Sequence, residues 1–238
     1  MMRCISNPHH LALEKLYRSH SRNLSNNDWV RRYLGTTKPY LGLPTKEKQN
    51  LTKDYLKSQN LDNITLDKLL ISLSRGQSFE EVSAVGYILT FSHDFRRSIE
   101  MATLDQLLDH VEGWAETDTI CQMSFTADEL LSRWSDWENL LKKFRTDPNI
   151  HKRRASLVLL TKPLRQSADP RLASLALENT AQLMAEKHIL ITKAISWILR
   201  SMIKHHPALV ENYLEKNQEL LPKIALRETH RKLLTGRK

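Results

Sequence analysis

Apolar residues in this chain recur at three- and four-residue steps, not by strict alternation, and that period belongs to helices with one buried stripe. In "ITKAISWILRSMIKHHP" the positions Ile191, Ile195, Ile198 and Met202 make such a stripe, while Lys193, Trp197, Arg200 and Lys204 repeat the spacing on another face. The pattern predicts helices over about 11–20, through "NNDWVRRYLG" to Gly35, and over about 46–58, 65–74, 79–93, 103–112, 115–123 and 126–144. Others follow at about 150–162, 169–185, 189–205, 207–216 and 218–234. Gly35, Pro39, Gly42 and Pro44 interrupt the pattern in "LGTTKPYLGLPTKEK", where Thr45 is the cap candidate for a helix opened by Lys46. Pro163 is expected to close or kink the helix before it. Connections of a few residues make consecutive helices antiparallel neighbours.

Three of these segments resemble one another: "SAVGYILTF" (83–91), "RASLVLLTK" (154–162) and "KAISWILRS" (193–201), with alanines at Ala84, Ala155 and Ala194. The intervals are 71 and 39 residues, so a further unit of about 35 falls near Asp118 to Gln122. Such periods suit stacked helix pairs of the HEAT or armadillo kind, and a plain helical bundle is the alternative. The expected class is all-α, with HEAT-like repeats stacked into a curved superhelix with a concave basic face. Residues 1–238 are read as one domain, with N-terminal helices and a loop over 1–45 and repeats over 46–238.

Composition changes this picture little until charge is located. Six Gly and eight Pro argue against a loop-rich β fold. Runs such as "LVLL" are far too short to span a membrane, and "MMRCISNPHHLALEK" lacks the continuous apolar stretch of a secretory signal. A cytoplasmic location is expected. Cys4 and Cys121 are far apart, and the adjacent pairs His9-His10 and His205-His206 point in different directions on a helix, so neither metal nor disulfide is expected. The net charge of +9 is unevenly placed: residues 1–145 hold 19 Lys and Arg against 19 Asp and Glu, and residues 146–238 hold 17 against 8. The whole excess lies in the last 93 residues, which favours a polyanionic partner, nucleic acid before an anionic membrane. A generally basic helical domain is the plainer alternative.

Two faces could carry chemistry. In "GWAETDTICQMSF" Trp114 stands four residues before Asp118, which puts an indole and a carboxylate on one helix face. An acid on such a face could equally cap a helix or pair with an arginine. Trp197 among Lys193, Arg200 and Lys204 is either a packing residue with cations snorkelling around it or part of a phosphate-contacting surface. In "HKRRASLVLL", Arg153 and Arg154 diverge by about 100°, so only one should point with an inner face. Arg154, Val158, Thr161 and Arg165 keep helical spacing and could extend a basic edge.

Taken together, these segments resemble the AlkD-type DNA alkylation repair proteins, HEAT-like-repeat DNA glycosylases. "WVRRYLGTTKPYLGLP" resembles the family's N-terminal helix and LG turn, "FEEVSAVGYILTF" an early core helix, and "WAETD" its Trp-x-x-x-Asp motif. "NIHKRRASLVLL" is similar to the helix bearing an inner-face arginine, and "ITKAISWILRSMIKHHP" to a late helix with tryptophan and basic residues. The resemblance implies that Asp118 is the catalytic carboxylate, Trp114 and Trp197 are aromatic walls, and Arg154 is the active-site arginine. It sets Lys193 and Arg200 beside the DNA backbone, and Lys204, Arg153 and Arg165 are further DNA-contact candidates. His151 departs from the tryptophan of a "WxRR" pattern, which keeps Arg153 and Arg154 both open as the cleft arginine.

The implied reaction is hydrolysis of the N-glycosidic bond of cationic N3- or N7-alkylated purines in duplex DNA, by a monomer without cofactor or metal. The family, as the resemblance implies, holds duplex DNA on a concave surface and works at the exposed backbone, without a base-extrusion pocket. No Schiff-base lysine is marked, so hydrolysis is favoured over lyase chemistry. The competing classes are a non-catalytic DNA-binding repeat protein and a protein-interaction scaffold.

Overall fold

The computed structural model describes residues 7–22 and 27–236, which form fifteen helices and no strand. No helix among them is long and apolar enough to cross a membrane. The chain divides into two compact units, Met1–Ser124 and Phe125–Lys238.

The first unit holds α1 (Pro8–Ser19), α2 (Asn27–Leu34), α3 (Thr45–Gln59), α4 (Asn63–Ser74), α5 (Phe79–Phe91), α6 (His93–Ser98), α7 (Met101–Leu107) and α8 (Trp114–Gln122). Its centre is α5, where every residue from Phe79 to Leu89 is buried. A helix that is apolar nearly all round must be covered nearly all round, and α1, α3, α4, α6 and α8 all pack on it. Ser78 starts α5 through a capping box with Glu81. The α5 and α8 backbones meet at Gly86, where a Cβ would lie 2.1 Å from the Thr119 carbonyl oxygen. The carboxylate of Glu81 also accepts from His10 Nε2 at 2.8 Å, and Ser72 Oγ stands 2.7 Å from His10 Nδ1. That buried chain ties α1 to α4 and α5.

The second unit holds α9 (Ala127–Ser132), α10 (Trp134–Phe144), α11 (Ile150–Gln166), α12 (Pro170–Leu183), α13 (Ile189–Met202), α14 (Pro207–Lys216) and α15 (Lys223–Thr235). Helices α9, α11, α13 and α15 pack in succession, and α10, α12 and α14 cover them from α11 and α13. This is the two-layer arrangement of helical repeats. The recurring segments of the sequence lie on α5, α11 and α13, and the extra unit near Asp118 is α8. In each unit these are neighbours in one layer, α5 on α8 and α11 on α13. The stripe Ile191, Ile195, Ile198 and Met202 is fully buried.

Several boundaries differ from the sequence expectation for identifiable reasons. Thr45 is already helical and Pro44 occupies the cap without a side-chain bond; proline's fixed φ suits a helix entry. The expected helix over 126–144 is two helices, because Arg133 adopts φ −127° and ψ 43°, outside the helical region. Pro163 does not end α11, which runs on to Gln166. Proline costs the helix one hydrogen bond there, and the full burial of Leu164 offsets it. The expected helix at 79–93 ends at Phe91, and His93–Ser98 forms a separate short turn of helix. The last helix starts at Lys223, after Pro222, instead of near 218. Those near 103–112 and 189–205 end earlier, at Leu107 and Met202.

Candidate functional site

Helix α8 begins at Trp114, directly after Gly113, which can offer no side-chain cap. Trp114 and Asp118 are half-buried, whereas Ala115, Glu116 and Thr117 between them are buried. The indole Nε1 of Trp114 donates to the Tyr33 carbonyl at the end of α2. The Tyr33 ring meets the indole edge-on, with centroids 5.4 Å apart, a favourable aromatic geometry. Gly35 turns the chain with φ +75°, and Gly113 lies so close that a Cβ there would be 2.3 Å from the Leu34 carbonyl oxygen. Only glycine fits both demands.

Behind this face lies a polar cluster. Glu116 is fully buried. Its carboxylate accepts from Thr36 Oγ1 at 3.0 Å, from the Glu112 backbone N–H at 2.8 Å and from Lys38 Nζ at 3.4 Å. Lys38 also pairs with Glu112 Oε1 at 3.2 Å and donates to the His110 carbonyl at 3.0 Å. Glu112 accepts from the Thr37 hydroxyl at 2.7 Å and from the Thr37 backbone N–H at 2.8 Å. Partial burial pushes the Glu112 carboxyl up, but these Thr37 bonds and the Lys38 ammonium pull it down to about 2. A carboxylate held below its unfolded value contributes stability above that value, near 4.5, and loses it as pH falls toward about 2. The melting-temperature advantage of the wild type over Glu112→Gln is therefore expected to shrink between about pH 4.5 and about pH 2. An advantage constant across that range would show that this carboxylate is not tied as described.

The other candidate residues lie in the second unit. Arg154 is buried on α11, 5 % exposed, and its Nη1 donates to the Leu190 carbonyl at the start of α13. Arg153 turns away from it. Its Nε donates to Glu186 Oε1 at 2.7 Å and its Nη2 to Glu186 Oε2 at 3.2 Å, while Nη1 reaches the carbonyls of Asp147 and Pro148. Val158 and Thr161 are fully buried, so the row from Arg154 to Arg165 does not form an open basic edge. It is mostly packed inside the unit. Arg165 Nη1 donates to Ser201 Oγ at 3.2 Å, and burial pulls its guanidinium below the ordinary arginine value.

On α13 Lys193 is exposed and Trp197 half-buried. Arg200 donates through Nε to the Ser196 carbonyl at 3.0 Å and pairs through Nη2 with Glu228 Oε2 at 3.2 Å. Ser196 Oγ donates to the same Glu228 oxygen at 2.6 Å. Lys204 Nζ donates to the Arg165 carbonyl at 2.8 Å, the carbonyl-rich end of α11, where a cation is favoured. Thus Lys193 and Lys204 are exposed and Arg200 is half-buried, and Arg200 and Lys204 also serve α15 and α11.

Sequence reading missed Tyr33, Thr36, Lys38, Glu112, Glu116 and Glu228. Glu112 and Glu116 flank Trp114 at two residues on either side, and "TTK" follows the LG turn. Those were visible, but their pairing across more than seventy residues was not.

The second unit has the layered packing of helical-repeat proteins; α8 in the first unit carries Trp114 and Asp118, and α13 in the second carries Trp197 with Lys193 and Arg200. The family model of the DNA alkylation repair enzyme matches residues 17–233, and the chain belongs to that family, which places it in DNA repair. A solved structure described as a predicted DNA alkylation repair enzyme from Enterococcus faecalis has a similar fold. It is 19 % identical with a TM-score of 0.69, over 99 % of this chain and 100 % of that one. No curated protein matches the chain.

Proposed function

We propose that the protein is a monofunctional DNA glycosylase that hydrolyses the glycosidic bond of cationic N3- or N7-alkylated purines in duplex DNA. The observation that carries this reading is the shared half-open face of α8, with Trp114 fastened by its indole N–H and Asp118 one turn further on. A purine alkylated at N3 or N7 already carries positive charge. When its bond to C1′ breaks, the electron pair goes to the base, which leaves neutral. The sugar is left oxocarbenium-like, a water oxygen bonds to C1′, and that water passes one proton to the surrounding solvent. Asp118 stabilises the cationic sugar and orients that water, and an indole face favours the cation as well. No cofactor is required by this balance.

In the same reading Arg154 and Trp197 act on the DNA from α11 and α13, and Lys193 contacts a phosphate, with Arg200, Lys204 and Arg165 as lesser contributors. Arg153, held by Glu186 and two carbonyls, acts by keeping α11 in place. The protein works as a monomer in the cytoplasm.

The test is release of free base from a duplex carrying 7-methylguanine. Release supports the reading. Salt-sensitive duplex binding with no release would move the protein to a non-catalytic DNA-binding role. Binding itself has a separate expectation. Lys193→Ala should weaken binding to damaged and undamaged duplex alike and lower the salt slope of log K by about one. An unchanged slope would take Lys193 off the phosphate.

A further inference from the structure

We propose that the segment from Tyr33 to Lys38 is a positioning strap that fixes the rotation of α8, with Lys38, Thr36 and Glu116 as positioning residues for Trp114 and Asp118. The inference rests on the functional reading above for its kinetic part, but its geometry stands apart from it.

The first turn of α8 has no cap of its own, since Gly113 has no side chain and its N-cap position makes no side-chain bond. Something else must hold the start of that helix. Glu116, in the first turn, reaches back to the Glu112 N–H at 2.8 Å, and its remaining capacity is taken by the strap, through Thr36 Oγ1 at 3.0 Å and Lys38 Nζ at 3.4 Å. Thr36 Oγ1 also accepts from the Lys38 N–H at 3.2 Å, so the strap is braced within itself. Its other end holds the indole directly, through the Tyr33 carbonyl.

One short segment therefore grips α8 at two angular positions, the Glu116 side and the Trp114 side. The far end of the loop is tied to α5, by the Leu41 N–H on Glu80 Oε2 at 3.0 Å and the Phe79 N–H on the Pro39 carbonyl at 2.9 Å. Lys38 is 9 % exposed and Glu116 0 %, and a buried carboxylate that loses its cation must find water or protonate. Either response turns or shifts the first turn of α8, and Trp114 and Asp118, one turn apart on the same helix, move with it.

The experiment uses the full chain with Lys38→Met, Lys38→Arg and the milder Thr36→Val. Hydrogen exchange of the Trp114 indole proton, assigned by its loss in Trp114→Phe, is read by NMR. Single-turnover release of 7-methylguanine and duplex Kd are read in parallel. Lys38→Met is expected to speed indole exchange about tenfold and to slow release by about 10- to 100-fold. Duplex Kd should stay within about twofold, because the functional reading assigns the phosphate contacts to Lys193, Arg200, Lys204 and Arg165, outside the strap. Lys38→Arg should restore most of both. Should Lys38→Met fail to fold, Thr36→Val is expected to change both readouts in the same direction.

Unchanged indole exchange in a folded Lys38→Met protein overturns the strap. Slower release without faster indole exchange also overturns it, since Lys38 would then act by another route. If the wild type releases no base, the functional reading fails, and faster indole exchange in Lys38→Met still supports the strap.

Discussion

Replacing Asp118 by asparagine is expected to slow release of 7-methylguanine by about 30-fold under single turnover, with duplex affinity little changed. The magnitude follows from charge. At about 4 Å and an effective dielectric of about 20, a carboxylate and a unit positive charge attract by about 4 kcal/mol. Desolvation takes back part of that, and half of it, about 2 kcal/mol, is a rate factor of about 30. Asparagine is nearly isosteric and keeps a hydrogen-bonding group, so packing on α8 is preserved while the charge is lost. The cationic substrate contributes its charge before the bond breaks, so some of the attraction is already present in the bound state. The kinetic loss is therefore read against the duplex Kd of the same variant, measured at one salt concentration. Release as fast as the wild type would remove Asp118 from the chemistry and leave it a structural residue of α8.

Gly86→Ala is expected to destabilise the first unit by about 3 kcal/mol, the upper end of ordinary overpacking. The added methyl would meet the Thr119 carbonyl oxygen at 2.1 Å and its carbon at 2.5 Å. Both are backbone atoms, so no rotamer change can make room, and either α5 or α8 must move. Thr90 Oγ1 donates to the Gly86 carbonyl at 2.7 Å, and Ser124 Oγ stands 3.1 Å from it, so this corner of α5 is itself tied. Urea unfolding of the full chain, followed by a probe within residues 1–124, measures the loss. A shift below about 0.5 kcal/mol would mean that α5 and α8 are free to separate at this point. Because α8 carries Trp114 and Asp118, the folded fraction of this variant should also release base more slowly.

The class of fold was legible because helical periodicity is a local property. The stripe on α13 and the apolar run of α5 needed only three- and four-residue spacing to be seen. The break at Arg133 was not legible, because no glycine or proline marks it. At Pro163 the signal for a helix end failed for the opposite reason: α11 continues past it to Gln166, with Leu164 fully buried. The candidate site divides in the same way. Trp114 and Asp118 could be singled out from one helical turn, and Lys193, Trp197 and Arg200 of α13 with Lys204 just beyond it from their spacing. What those cations hold could not be read, since Glu228 is 28 residues from Arg200 and Glu186 is 33 from Arg153. The loop partners of Glu116 lie farther still. Ion pairs that join separate helices leave no periodic trace.

One consequence of α5 concerns how the first unit is lost. With no outward side from Phe79 to Leu89, α5 has no arrangement in which a partial set of neighbours satisfies it. It is stable only when α1, α3, α4, α6 and α8 are all in place. The unit should therefore come apart in one cooperative step, and proteolytic nicking of its loops should yield either intact unit or small peptides, with no long-lived helical remnant. Global unfolding of the unit therefore removes the carboxylate face on α8 in the same step, whereas release of the Tyr33–Lys38 strap only shifts that face within the folded unit.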